Sequence, residues 1–158
     1  MRRDLIKRGT PPLVGWMGAR DPARFDIHRM DLHDDARRFQ RGVHNAAGLV
    51  AAAAGLRIIE TLQIERIWEH VRALSRQLLT GLRDLDLEIL TPDRDVERAG
   101  IVAFRVDDAV KFNEALAARS VLAGQYLPGQ IRMDVALFHE ASDIQRTLEV
   151  VRQVRTEV

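Results

Sequence analysis

Four groups of residues in this chain have side-chain types and spacings that could do chemistry. The first is His28, Asp31, His33, Asp34 and Asp35, crowded into eight positions. Imidazole with carboxylate suits zinc or manganese. The spacing fits no helical or hairpin metal site, however, and Arg29, Arg37 and Arg38 flank it, so a solvated charged loop is expected, with metal-dependent hydrolysis as its alternative. His139-Glu140 opens like a zinc-protease motif, but no second His follows four residues after the first, as a helical ligand pair requires. The second group is the amines. Only Lys7 and Lys111 are present: Lys7 in a charged N-terminal stretch with no apolar setting to depress its pKa, and Lys111 beside Asp107 and Asp108, where a solvated surface role is expected. No catalytic residue is assigned to this chain.

The third group is a pair of segments. Pro12 to Gly18 holds Trp16 in a glycine-flanked turn, where an indole N–H can donate outward. Arg37 to Asn45 leads into a helix start and brings His44, an Asn amide and backbone N–H groups to one place, which makes either an anion site or an ordinary helix cap. The fourth is Arg132, within Gln130 to Val135, on an expected central strand. An unpaired charge there is costly, so Arg132 is either salt-bridged or receives a carboxylate ligand.

Composition narrows what these groups can do. The chain has 158 residues, with 24 basic and 23 acidic side chains; two of the basic ones are lysine, so the remaining 22 are arginine. A near-neutral balance argues against nucleic acid, which selects strongly basic surfaces. The absence of Cys excludes disulfides, thiolate metal sites and any cysteine nucleophile. No segment approaches the ~18–20 consecutive apolar residues of a membrane span, and nothing resembles an export signal, so no membrane partner and a cytoplasmic location are expected.

The elements that must position these residues follow from periodicity. Pro11, Pro12, Gly15, Gly18 and Pro22 make residues 1–44 an irregular arm, apart from a turn or two of helix near Arg2 to Arg8. From Asn45, a plausible N-cap, a small-residue helix runs to about Glu60. Ile64, Ile67, Val71, Leu74, Leu78, Leu82 and Leu85 step by three or four and predict an amphipathic helix over 64–85. Strands are expected at 87–90, 101–106, 121–127 and 130–135, the last two joined by Pro128-Gly129. A helix capped by Asp107 or Asp108 lies between the second and third strands. A capping box at Ser142 to Gln145 opens a last helix to about Arg155. This order makes residues 45–158 a small α+β domain: an antiparallel or mixed sheet of about four strands covered by helices.

Five segments in this order resemble the C-terminal part of the class V aminotransferase-like, pyridoxal-phosphate-dependent enzymes of fold type I, and kynureninase in particular. They are Pro12-Leu-Val-Gly-Trp-Met-Gly18, Arg37-Arg-Phe-Gln-Arg-Gly-Val-His-Asn45, Ala99-Gly-Ile-Val-Ala-Phe104, Ile131-Arg132, and Leu137-Phe-His-Glu-Ala-Ser-Asp-Ile144. The resemblance runs from about residue 11 to the end. It implies that Trp16 contacts the cofactor phosphate in the neighbouring subunit's site, that His44 and Asn45 fall in a second phosphate-contacting segment, and that Arg132 grips the α-carboxylate of an amino-acid substrate. Val43 stands where most of the family has a phosphate-binding Thr. Met17 and Ala19 replace the aromatic and His usual in kynureninases. The cysteine of the desulfurase branch has no counterpart.

The resemblance also implies a cofactor domain bearing the Schiff-base lysine, which these residues do not include. The chain is therefore expected to be a fragment, a truncated reading frame or a subunit needing a partner, inactive alone and belonging to a homodimer or to a complex with a cofactor-domain partner. The intact enzyme would be a transferase, a lyase or a kynureninase-like hydrolase. The alternative is a non-catalytic interaction or dimerisation module.

Overall fold

The structure is a computed structural model that describes residues 2–24, 28 and 31–158, with Lys7 described by its backbone alone. Phe25, Asp26, Ile27, Arg29 and Met30 lie outside the described residues, and with them two positions of the charged stretch around His28. The chain divides into two compact units, Met1–Gly55 and Leu56–Val158.

In the first unit α1 spans Arg3–Arg8, and single 3-10 turns occupy Trp16–Gly18, Pro22–Arg24 and Ala36–Phe39. The Pro and Gly density explains this irregularity, since neither residue type supports a continuous ladder there. Ile6 is buried, and the Arg38 guanidinium donates to its carbonyl at 3.4 Å, tying the arm to α1. Ala19 and Leu32 form a lone antiparallel bridge. Helix α2, Ala46–Leu62, begins in this unit; Asn45 caps it by accepting the Gly48 amide at 2.9 Å.

The second unit is built on three antiparallel strands, β1 (Glu88–Ile89), β2 (Ile101–Arg105) and β3 (Gln130–Asp134), in the order β1-β2-β3. Register pairs Phe104 with Ile131 and Ala103 with Arg132. Alternation sends Val102, Phe104, Ile131 and Met133 to one face, where all four are buried. Three helices cover that face. They are α3 (Ile64–Asp84), α4 (Ala109–Ala118) and α5 (Ala141–Glu157). The apolar stripe of α3 places Leu74, Leu78 and Leu82 against the sheet, α4 adds Phe112 and Leu116, and α5 adds Val151 and Val154. Phe104 and Phe112 meet edge to face, 6.0 Å between centroids and 75° between planes. The α+β class with helices layered on an antiparallel sheet is the one the periodicity predicts.

Three local differences have physical causes. Residues 121–127 do not form a strand; they add one bridge, Gly124 to Arg132. Val121 joins the core and Ala123 packs against it, but Leu122, Gln125, Tyr126 and Leu127 are exposed, so beyond residue 123 the segment has nothing to bury. Hence β2, not β3, is the central strand, and Arg132 sits at the sheet edge. The capping box of α5 is Glu140 with Asp143, not Ser142 with Gln145, because Glu140 is the last extended residue (φ −116°, ψ 168°) and Ser142 is already inside the helix. Of the two candidate caps for α4, Asp108 accepts the Lys111 amide at 3.1 Å.

The loop between β1 and β2 is fastened to α3 by charge. The Arg98 side chain is only 3% exposed; it pairs with Asp95 and donates to the buried Ser75 hydroxyl at 3.1 Å. Arg76 also pairs with Asp95, and Arg72 stands 3.9 Å from the same carboxylate. A buried cation persists only with such partners. Replacing Phe104 with Ala should cost about 3–5 kcal/mol in urea unfolding, since the cavity opens at the centre of the sheet–helix interface. The same truncation at Leu122, which is 87% exposed, should change stability by about 0.5 kcal/mol or less.

Candidate functional site

Two of the sequence-predicted segments meet within the first unit, and glycine is the reason. A Cβ on Gly15 would lie 1.7 Å from the Arg41 carbonyl oxygen, and one on Gly18 would lie 2.9 Å from that of Arg38. The turn at Trp16–Gly18 therefore lies directly against residues 38–41, a proximity any side chain would prevent. The Gly18 amide donates to the Gly15 carbonyl at 2.9 Å, and the His33 amide to the Gly18 carbonyl at 3.1 Å. Next along the chain, a Cβ on Gly42 would lie 3.9 Å from the Trp16 indole nitrogen. Trp16 is 45% exposed at this junction.

The segment continues into the start of α2 with a set of donors. Gln40 Nε2 and His44 Nε2 lie 2.9 Å apart. The amide nitrogen can only donate, so His44 Nε2 accepts and its ring proton resides on Nδ1. The Asn45 carboxamide oxygen is occupied by the Gly48 amide, which leaves its NH₂ as a donor. The Ala46 amide is tied to the His44 carbonyl at 2.8 Å. Imidazole N–H, carboxamide NH₂ and the positive end of a 17-residue helix thus follow one another at exposed positions, with the Trp16 indole nitrogen beside Gly42 just before them. This set suits the phosphate of a cofactor. Lys111, in the second unit, is paired with Asp108 at 3.2 Å on the first turn of α4.

The first candidate group resolves into ion pairs. Arg20 engages Asp31 at 3.4 Å and Asp34 at 2.5 Å. Asp35 caps the 3-10 turn through the Arg37 amide at 3.0 Å and takes the Arg37 guanidinium at 2.8 Å. Among the described residues no cluster of three or more His, Asp or Glu could hold a metal ion. The Arg37 side-chain hydrogen bonds, followed by its backbone amide, lower the Asp35 pKa to about 2.

In the second unit Arg132 lies on the sheet face opposite the helices, alternating with the buried Ile131 and Met133. Its Nη2 donates to the Tyr126 hydroxyl at 3.0 Å and stands 3.4 Å from an Asp134 carboxylate oxygen. The guanidinium carbon sits 4.0 Å from the Tyr126 ring centroid, within cation–π range. Its Nε is buried without a hydrogen-bond partner. Of the two alternatives the residue type left open, the structure shows a salt bridge, a long one that leaves most of the fork unused. Tyr126 was not identifiable from its neighbours in sequence. Only its six-residue separation from Arg132 across a Pro-Gly turn hinted at a contact.

Comparison with known proteins places this geometry. Residues 1–121 match the family described as aminotransferase class-V. A probable cysteine desulfurase of Pyrococcus abyssi is 30% identical over 96 residues, 61% of this chain and 23% of that protein. A cysteine desulfurase of Serratia proteamaculans is 23% identical, with 75% of this chain and 32% of that protein covered. The apo cysteine desulfurase of Thermococcus onnurineus superposes on the whole chain with a TM-score of 0.89 at 21% identity, using 42% of its own length. A cystine C–S lyase bound to its product, cysteine persulfide, superposes on 96% of this chain with a TM-score of 0.81 at 18% identity, using 40% of its length. The chain thus spans well under half of each relative.

Two outcomes follow. Gly15→Ala should shift the indole ¹H–¹⁵N resonance of Trp16, which lies at the glycine junction. Asp35 should titrate near 2 by carboxyl ¹³C NMR and return toward the ordinary carboxylate value in Arg37→Gln. Because its folded value is depressed, the contact stabilises the turn above the unfolded value and is lost as pH falls toward 2.

Proposed function

The chain belongs to the aminotransferase class-V family of pyridoxal-phosphate-dependent enzymes, and on that premise we propose that it forms the phosphate- and carboxylate-binding part of such an enzyme acting on an amino acid. The observation that carries this reading is the junction of the Trp16 turn with residues 38–45 at the start of α2, which collects anion donors in a family whose cofactor bears a phosphate. Bound pyridoxal phosphate supplies an electron sink for a substrate carbanion. The roles of this chain's residues are to bind and orient. Trp16, His44, Asn45 and the helix start hold phosphate; Arg132 holds the substrate carboxylate, a task suited to a planar guanidinium.

Within the family the Pro12 to Gly18 segment supports a kynureninase-like member. Cysteine desulfuration, the activity in the names of the relatives, is the competing reading. It is disfavoured for any route that needs a cysteine from these residues, since none is present. Lys111 is engaged by Asp108, and the family's Schiff-base lysine has no counterpart in the segments that carry the resemblance. The chain would therefore be inactive by itself and work with a lysine-bearing cofactor domain, within the homodimer of an intact enzyme or as a separate partner.

The test is titration of the 158-residue chain with pyridoxal phosphate and, separately, inorganic phosphate. Amide and indole shifts should concentrate at Trp16, Asn45 and the first turn of α2, weakened severalfold in Asn45→Ala. Borohydride should trap no adduct. An adduct mapped to Lys7 or Lys111 would overturn the inactive-alone reading. Shifts elsewhere, or none, would overturn the phosphate assignment.

A further inference from the structure

Arg132 is not idle in the absence of ligand. Asp134, two positions along the same strand face, lies 3.4 Å from Nη2, and the Tyr126 hydroxyl accepts from that same nitrogen at 3.0 Å. The Tyr126 ring supports the guanidinium from one side at 4.0 Å. Both polar contacts therefore fall on a single nitrogen of a group with five N–H donors. The Asp134 contact is one-pointed and longer than the roughly 2.7–2.9 Å of a strong charge-assisted bond, whereas an added carboxylate can take two parallel N–H groups. Asp134 is half exposed and Arg132 about one-third exposed, so either partner can turn to water when displaced.

We propose that Asp134 is an internal competitor of the substrate carboxylate: with Tyr126 it keeps Arg132 occupied at rest, and a ligand carboxylate binds by exchange against it. This rests on the assignment of Arg132 as the carboxylate site. Tyr126 is a positioning residue. Its ring holds the plane of the guanidinium, and its hydroxyl, on an otherwise exposed side chain, reinforces the resting arrangement. Asp134 thereby sets the affinity of the site and, as a negative charge that stays close to the arginine even when displaced, disfavours ligands carrying a second carboxylate near the first. The paired backbone of Gly124 and Arg132, with two hydrogen bonds of 2.8 Å, keeps Tyr126 within reach. The positive φ of Gly129, 69°, makes the turn that returns the chain to β3.

The experiment is an NMR titration of the 158-residue chain with L-alanine, and with alaninamide as the probe lacking a carboxylate. Shifts are read at the amides of Gly124 and Arg132 and at the Arg132 Nε–H. Asp134→Asn is expected to tighten L-alanine binding about fivefold, the factor for removing a partly exposed like charge at this range. Tyr126→Phe should have a smaller effect of about twofold, because the stack is kept. Alaninamide should bind none of the variants, and Arg132→Gln should bind neither probe. Equal L-alanine affinity in wild type and Asp134→Asn, with Arg132→Gln silent, would overturn the competitor role and leave the carboxylate site standing. No Arg132-dependent shift in either protein would overturn both. Matching thermal melts for Asp134→Asn and wild type show that the comparison is between folded chains.

Discussion

Only one face of the three-stranded sheet is buried against helices, and the second unit depends on that asymmetry. Val102, Phe104, Ile131 and Met133 alternate with Ile101, Ala103, Arg105, Gln130, Arg132 and Asp134 along two paired strands. The first set is drawn into the interface with α3, α4 and α5 because burying it removes several large apolar side chains from water. The pleat then obliges the second set to the opposite face, whatever its polarity. Arg132 is presented there because its neighbours Ile131 and Met133 must be inside. The position of this arginine on an edge strand is thus a by-product of core formation, fixed by residues on the opposite face of the sheet.

The first unit achieves precision by different means. Among its described residues Ile6 is the one large apolar side chain that is buried, and close backbone approach orders the segments around Trp16. Gly15 and Gly18 allow two loop segments to touch where any side chain would separate them, and the salt bridges of Arg20 and Arg37 fix the acidic stretch nearby. The result concentrates N–H donors at a helix start. Dipole, carboxamide, imidazole and indole each contribute little alone, and the proposed phosphate site draws on all four.

The two halves of the reading were legible to different degrees. The stripe from Ile64 to Leu82 and the alternation of Ile101 to Arg105 carry their periods openly, and both elements form where those periods place them. Asn45 caps α2 as its type and position suggest. The stretch 121–127 misled because Val, Leu and Tyr have strand propensity, yet only Val121 and Ala123 reach the core and the pairing collapses to one bridge. The cap of α5 moved because Ser142 and Glu140 are both competent acceptors, and backbone extension at residue 140 decided between them.

What the sequence by itself determined is the local and the compositional. Helix and strand periods, the lack of any cysteine, the scarcity of lysine and the order of the family's segments all reside in neighbouring residues or in simple counts. The tertiary structure alone decided which strand is central, which carboxylate stands beside Arg132, and that Tyr126 lies beneath it. Those are contacts across a sheet and a turn. They depend on how apolar faces are buried together, and no local window of residues contains that information.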